Sequence, residues 1–173
     1  MKVFYLFVEN AKKSLGKEFL KKYADIDIKS EKRFWEYTLG RYLVKTAANK
    51  FYNIQNTNIV IKDSGKPEFE EGGIYFSISH SKEIVAVCFD EAPCGIDIEF
   101  IKDRNLSVLS EYYNKNFENH EDFYRFWTKN EAEYKLGQKA KYNCFFKIGK
   151  YFFAVVSDKE INNIEIMEFN TKV

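Results

Sequence analysis

Apolar and polar positions alternate or recur along the chain with two different periods, and the period marks each element. Residues 2–8, KVFYLFV, form an apolar run that reads as a first β-strand. A helical stretch is expected over about 17–24. After Ser30, an N-cap residue type, EKRFWEYTLGRYLVKTAANK carries Phe34, Tyr37, Leu39, Leu43, Ala47 and Phe51 at approximate helical spacing, so a long helix is expected there. Residues 58–62 read as a short strand, followed by a turn at DSGKP that Gly65 and Pro67 mark. Strands are expected over 74–79 and 83–89, joined by a tight turn around His80–Lys82, and a further strand over 94–100 after a turn at Glu91–Pro93.

The segment 103–117 fits neither period and is left as a short helix and a loop. A helix is expected from about Asn119 to Leu136, with Gly137 as its stop. From about 144 to 169 the chain reads as strands with a turn at Gly149–Lys150. No repeat is visible in the residues. The order of elements in the first half resembles that in the second, which suits an α+β fold of two similar halves, with a boundary at 94/95.

The 173 residues suit one domain or two small subdomains, and 45% hydrophobic content with 17 Phe and 12 Tyr allows an aromatic-rich core. The net charge of +1, with Lys and Arg spread along the chain, gives no global argument for nucleic acid or a membrane surface. Cys88, Cys94 and Cys144 are odd in number and lack C-x-x-C, and His80 and His120 are not spaced to join them at zinc. Three reduced thiols in a cytoplasmic protein are expected. MKVFYLFVEN has Glu9 in its run and no small-residue cleavage site after it, and no stretch suits a bilayer.

Four segments carry candidate chemistry. In Gly95-Ile96-Asp97-Ile98-Glu99, strand alternation sets Asp97 and Glu99 side by side on one face. Paired carboxylates suit a hard divalent cation. A strand with one solvated acidic face is the plainer account, and from these residues alone the favoured one. In the 119–136 helix, Phe123, Trp127, Glu131 and Tyr134 share a stripe, which sets Glu131 beside apolar neighbours; Lys135 lies one turn on, and Glu133 is expected to face solvent. In Phe76-Ser77-Ile78-Ser79-His80-Ser81, His80 with its serines could donate to a phosphate, or the serines could cap a turn. A hydrolase nucleophile is not supported, because G-x-S-x-G is absent and Ser79 and Ser81 point away from His80's face. In Gly65-Lys66-Pro67, proline holds Lys66 extended; no Walker loop is present.

These segments, in this order, resemble the motifs of the 4′-phosphopantetheinyl transferases of the single-chain, surfactin-synthetase-activating type: G-K-P, S-H-S after a strand, G-[IV]-D-[IV]-E, and W-x-x-K-E-[AS]-x-x-K, the last matched by Trp127 to Lys135. Leu39-Gly40-Arg41-Tyr42-Leu43-Val44-Lys45 is similar to a further helical segment, and the likeness covers about residues 30–137. The resemblance implies a fold of two α+β halves related by a pseudo-two-fold and a monomeric enzyme. It implies that Asp97, Glu99 and Glu131 bind Mg²⁺, that Glu131 accepts the proton of an attacking serine, and that Lys135 holds the diphosphate of coenzyme A. His80 with Ser79 would meet a phosphate, and Lys66 and Pro67 would shape an adenine pocket. Arg33, Arg41 and Lys45 would be candidates for the 3′-phosphate. The implied reaction moves phosphopantetheine from coenzyme A to a serine of an apo acyl or peptidyl carrier protein and releases adenosine 3′,5′-bisphosphate. Asn130 stands where the family has lysine, only Gly137-Gln138-Lys139 remains of a glycine-rich stretch, and the chain is shorter than typical members. A non-catalytic coenzyme A or carrier-protein binder and a Mg²⁺-dependent phosphohydrolase are the alternatives.

Overall fold

The computed structural model of the chain describes residues 1–171. Strand β1 (Lys2–Phe7) runs directly into helix α1 (Val8–Ser14); α2 (Lys17–Leu20) continues as one 3-10 turn, Lys21–Tyr23. The long helix α3 spans Glu31–Tyr52, and short strands β2 (Ile59–Ile61) and β3 (Pro67–Phe69) form a two-stranded ribbon around the Gly65 turn. Then follow β4 (Tyr75–Ser81), β5 (Ile84–Asp90) and β6 (Cys94–Phe100), helices α4 (Leu106–Tyr113) and α5 (His120–Leu136), and β7 (Tyr142–Ile148), β8 (Tyr151–Ser157) and β9 (Glu165–Glu168). The α+β class is as expected. The β4–β5 turn is shorter than expected: His80 and Ser81 pair with Val85 and Ile84, leaving Lys82 and Glu83 as the turn, with Lys82 at φ 48°.

Capping explains where the two long helices begin and end. Ser30 Oγ accepts from the Arg33 N–H at the start of α3, and Asn53 ends it in the left-handed region. Asn119 caps the start of α5 by accepting from the Asp122 N–H, and Gly137, φ 92°, stops it.

Two sheets lie face to face between these helices. The larger has the order β4-β5-β1-β9 and the smaller β6-β8-β7. Val3, Ile84, Ala86 and Cys88 of the first pack on Ile96, Ile98, Phe153 and Val155 of the second. The outer face of the first sheet, with Phe4, Leu6, Phe76, Val85 and Val87, packs on Phe34, Leu39, Leu43 and Ala47 of α3. The outer face of the second packs on α5 through Phe152 with Phe123 and Tyr124, and through Ala154 and Val156 with Ala132 and Leu136. The result is a helix–sheet–sheet–helix stack with an aromatic-rich interior. Sheet alternation accounts for it: every second residue of β6 and β8 enters the layer between the sheets, and the intervening ones meet α5. The C-terminal β9 returns to the first sheet, parallel to β1.

The edge strands β4 and β6 meet where the two sheets adjoin. Ser77, Ser79 and Ser81 accept, through Oγ, from the N–H groups of Ile96, Ile98 and Phe100 at 3.3, 3.2 and 3.0 Å. Cys88 and Cys94 lie nearby with their sulfurs 3.6 Å apart. All three cysteines are free, and the hydrogen bond with Cys88, with burial, pushes the Cys94 thiol well above its usual range. No helix of the described residues is long and apolar enough to cross a membrane.

Candidate functional site

The face of β6 that carries Gly95, Asp97 and Glu99 is covered by α5 and is not a solvated acidic face; Asp97 is only 6% exposed. Helix and strand can come this close because residue 95 has no side chain: a Cβ there would stand 2.1 Å from the Ala132 carbonyl oxygen. Alternation then directs the two acids at the helix. Glu99 Oε1 accepts from Trp127 Nε1 at 3.0 Å. Asp97 Oδ1 accepts from Lys135 Nζ at 2.8 Å and from Ser79 Oγ at 3.1 Å. Asp97 Oδ2 is buried without a hydrogen-bond partner among the described residues.

Glu131 lies on α5 between Trp127 and Lys135, one helical turn from each. Burial raises its carboxyl pKa, the charges of Asp97 and Glu99 raise it further, and Lys135 opposes them. The charges of Asp97 and Glu99 therefore reach Glu131. Lys135 does not close the i,i+4 pair with Glu131 that spacing suggests. It reaches across to Asp97, Ser79 Oγ at 2.8 Å and the Ile96 carbonyl at 3.0 Å. Among the described residues no group of three or more His, Cys, Asp or Glu is arranged to hold a metal ion. The chemistry of the donor set nonetheless fits a hard cation: the three acids offer only oxygen, and Asp97 Oδ2 is a buried acceptor with nothing to accept.

A raised carboxyl pKa favours the protonated form in the folded chain. Stability from this group is present below its unfolded pKa and is lost as pH rises through the folded one. Without divalent ions, Glu131→Gln is expected to melt higher than the parent near pH ~8, with the gain vanishing near pH ~4. Thermal melts at both pH values check this; a variant that melts lower at pH ~8 would contradict it.

The serine–histidine segment divides between two faces. Ser79 uses its whole hydroxyl within the protein, donating to Asp97 and accepting from Lys135 and the Ile98 N–H. His80 points the other way, to α3, with Nδ1 3.5 Å from Glu36 Oε1. Burial lowers its pKa, and Glu36 opposes the shift. Glu36 also meets Lys32 at 3.6 Å. A pocket of about 310 Å³ here brings Lys32, Lys82 and Lys102 around His80 and Glu99. Nothing in the sequence pattern marked these three lysines, since they come from a helix, a turn and a loop.

The α3 cations expected from sequence are spread around the helix. Arg33 is exposed in its first turn. Arg41 is buried, with Nη2 3.1 Å from the Tyr37 hydroxyl and 3.8 Å from Asp25, while Nη1 has no partner among the described residues. Lys45 is half-buried, nine positions beyond Glu36 and so about half a turn around the helix from it.

Beside the acids opens a cleft of about 760 Å³. Lys66 and Pro67 form one wall, Ser77 and Ile78 another, and Lys135 and Lys139 a third. Lys66 is held there by donating to the Cys94 carbonyl at 3.2 Å. The cleft thus combines three ammonium groups with apolar surface, an arrangement that suits an extended phosphorylated ligand.

Glu133 and Tyr134 reverse their expected places. Glu133 is 5% exposed and Tyr134 83% exposed. The buried face of α5 runs through Phe123, Tyr124, Thr128, Ala132 and Leu136, one position away from the stripe inferred from Phe123, Trp127, Glu131 and Tyr134. Burial pushes the Glu133 carboxyl up, but hydrogen bonds from Lys139 Nζ at 2.7 Å and from the Ala140 N–H at 3.3 Å hold it below its usual range. Glu133→Ala, which the sequence marked as neutral, is expected to cost about 1–3 kcal/mol, because it removes a buried side chain and leaves the Ala140 backbone N–H without its acceptor. Denaturant unfolding measures this, and a loss within experimental error would contradict the clamp.

Residues 24–89 match the family model of the 4′-phosphopantetheinyl transferase N-terminal domain. Among curated proteins, the 4′-phosphopantetheinyl transferase gsp of Aneurinibacillus migulanus is 31% identical over 116 residues, which is 60% of this chain and 48% of that protein. The 4′-phosphopantetheinyl transferase Sfp of Bacillus subtilis is 29% identical over 54% of this chain and 48% of its own length. A putative 4′-phosphopantetheinyl transferase of Haemophilus influenzae is 39% identical over 42% of the chain and 37% of its own length. The chain spans about half the length of the curated relatives it matches first. Over these segments the chain is similar to 4′-phosphopantetheinyl transferases, Sfp among them.

Proposed function

We propose that the chain transfers the 4′-phosphopantetheine group of coenzyme A to a serine of an apo acyl or peptidyl carrier protein. The observation that carries the reading is the convergence of Asp97, Glu99, Glu131 and Lys135 beside the cleft that Lys66 and Pro67 close. In this reading Asp97, Glu99 and Glu131 would hold Mg²⁺, which when bound would offset the charge of the diphosphate oxygens.

The protein's own groups do the rest. Lys66 and Lys135 bind and orient the diphosphate in the cleft, and Pro67 packs on the adenine. His80, with Lys32 and Lys82 beside it, meets the 3′-phosphate; Arg33, one position after Lys32, can join them, whereas Arg41 and Lys45 lie farther around α3. Glu131 takes the proton of the carrier serine hydroxyl. The serine oxygen bonds to the β-phosphorus as the bond from that phosphorus to the bridging diphosphate oxygen breaks. Adenosine 3′,5′-bisphosphate departs, and Lys135 stabilises the charge it gains. Lys139 Nζ lies 3.5 Å from Asn130 Oδ1 and so returns an ammonium to the place where the resemblance expects lysine. Because both acids and cations come from one chain, a monomer carries the whole site, and the activity belongs in the cytoplasm with coenzyme A and the carrier.

Chromatography of adenosine 3′,5′-bisphosphate formed from coenzyme A and Mg²⁺ tests the reaction. Release is expected only with an apo carrier that retains its serine. Release of phosphate or pantetheine without any carrier would contradict transfer and indicate hydrolysis.

A further inference from the structure

The three serines of β4 occur at residues 77, 79 and 81, a period of two, so all three hydroxyls leave the strand on the face turned to β6. β6 is hydrogen-bonded along one edge to β8, in register from Cys94↔Ser157 to Phe100↔Tyr151. Among the described residues, its other edge has no strand partner in the sheet order. The N–H groups of Ile96, Ile98 and Phe100 leave by that edge, and each would be costly to bury unpaired. The serine hydroxyls accept all three. Two edge strands of different sheets are thereby locked in one register by side chains, where a backbone ladder would need them closer.

The register matters because of which peptides are held. Each captured N–H belongs to the peptide that follows Gly95, Asp97 or Glu99. The Ile96 residue is fixed at both ends, its N–H by Ser77 and its carbonyl by Lys135. The peptide after Asp97 is fixed by Ser79, which also touches the Asp97 carboxylate. The peptide after Glu99 is fixed by Ser81. A serine is the shortest side chain with a hydroxyl acceptor, and it has little freedom when its oxygen is engaged, so it transmits the position of β4 to β6 with little slack.

We propose that Ser77 and Ser81 are positioning residues that fix β6 against β4 and so aim Asp97 and Glu99 at α5, an inference that rests on the metal-dependent reading of the site. Ser81 acts on Glu99 through the Phe100 N–H. Ser77 acts on Lys135 and Asp97 through the Ile96 peptide. Because Ser77 also borders the cleft, Mn²⁺ binding rather than the KM for coenzyme A is the readout that separates positioning from contact.

Mn²⁺ serves as the probe, with free ion counted by electron paramagnetic resonance on the whole chain. Ser81→Ala is expected to weaken Mn²⁺ binding about 10-fold, the size of loss seen when a group that orients a metal ligand is removed. Ser81→Thr keeps the hydroxyl and is expected to restore binding. Ser81 is only partly buried, so both variants should fold, and urea unfolding monitors this. Ser77→Ala is expected to weaken Mn²⁺ binding and also to raise the KM for coenzyme A, through Lys135. Parent-like Mn²⁺ binding in both alanine variants, with stability alone reduced, would overturn the inference and leave the serines as stitches between sheets. A parent chain that takes up no Mn²⁺ would overturn the metal reading and this inference with it, whereas binding in the parent with no effect of the serines would overturn the inference alone.

Discussion

Asp97→Ala is expected to lower phosphopantetheine transfer by about 10³-fold or more while the chain stays folded. A loss of that size corresponds to about 4 kcal/mol of transition-state stabilisation. The carboxylate stands at the centre of the site, with Oδ1 on Lys135 and Ser79 and Oδ2 buried without a partner among the described residues. Its removal takes away the acid that touches Lys135 and, in the proposed reading, a metal ligand. The fold survives because Lys135 is not left stranded, although the buried Ser79 hydroxyl loses the acceptor it donates to, at some cost in stability. Lys135 remains 29% exposed and keeps the Ile96 carbonyl, and Ser79 keeps the Ile98 N–H. Initial rates beside a thermal melt separate the two effects. Undiminished transfer would sink the assignment of Asp97, and a variant that fails to fold would show that its charge mainly supports the structure.

The second large effect is on the fold. Gly95→Ala is expected to destabilise the chain by about 3 kcal/mol or more and to reduce transfer in whatever remains folded. The added methyl would sit 2.1 Å from the Ala132 carbonyl oxygen, with Val156 Cγ2 at 3.0 Å on another side. The obstacle is helix backbone, which cannot turn away as a side-chain tip can. α5 must shift as a unit, and it carries Trp127, Glu131 and Lys135 with it. Gly137→Ala is the control: nothing lies within 4 Å of a Cβ there, and the cost comes from its φ of 92° alone. Comparable losses at 95 and 137 in denaturant unfolding would contradict the contact argument.

Much of this was legible because short-range patterns set it. The caps Ser30, Asn119 and Gly137 and the alternation of Ile96 and Ile98 against Asp97 and Glu99 are local, and the structure follows them. The helix face of α5 was less legible. Thr128 and Glu133 are polar residues on its buried side, and Thr128 is satisfied only by its own Tyr124 carbonyl, so an apolar stripe pointed one position off. Glu133 became buried because Lys139 and Ala140 fold back to it, a contact that helical spacing does not encode. Helix α1 was missed because VENAKKS continues an apolar strand without a cap side chain. The serines of β4 read as turn caps or phosphate donors; their role at β6 depends on two sheets meeting, which no local pattern states. The same holds for Lys32, Lys82 and Lys102, which only the tertiary fold brings to His80.

The most direct measurement of the central claim is the intact mass of an apo carrier protein after incubation with the chain, coenzyme A and Mg²⁺. The account predicts a gain of one phosphopantetheine on the carrier, lost when the carrier serine is replaced, when EDTA is added or in Asp97→Ala. A carrier of unchanged mass across several apo carriers, with coenzyme A bound to the chain, would contradict it and leave a coenzyme A-binding protein that does not transfer.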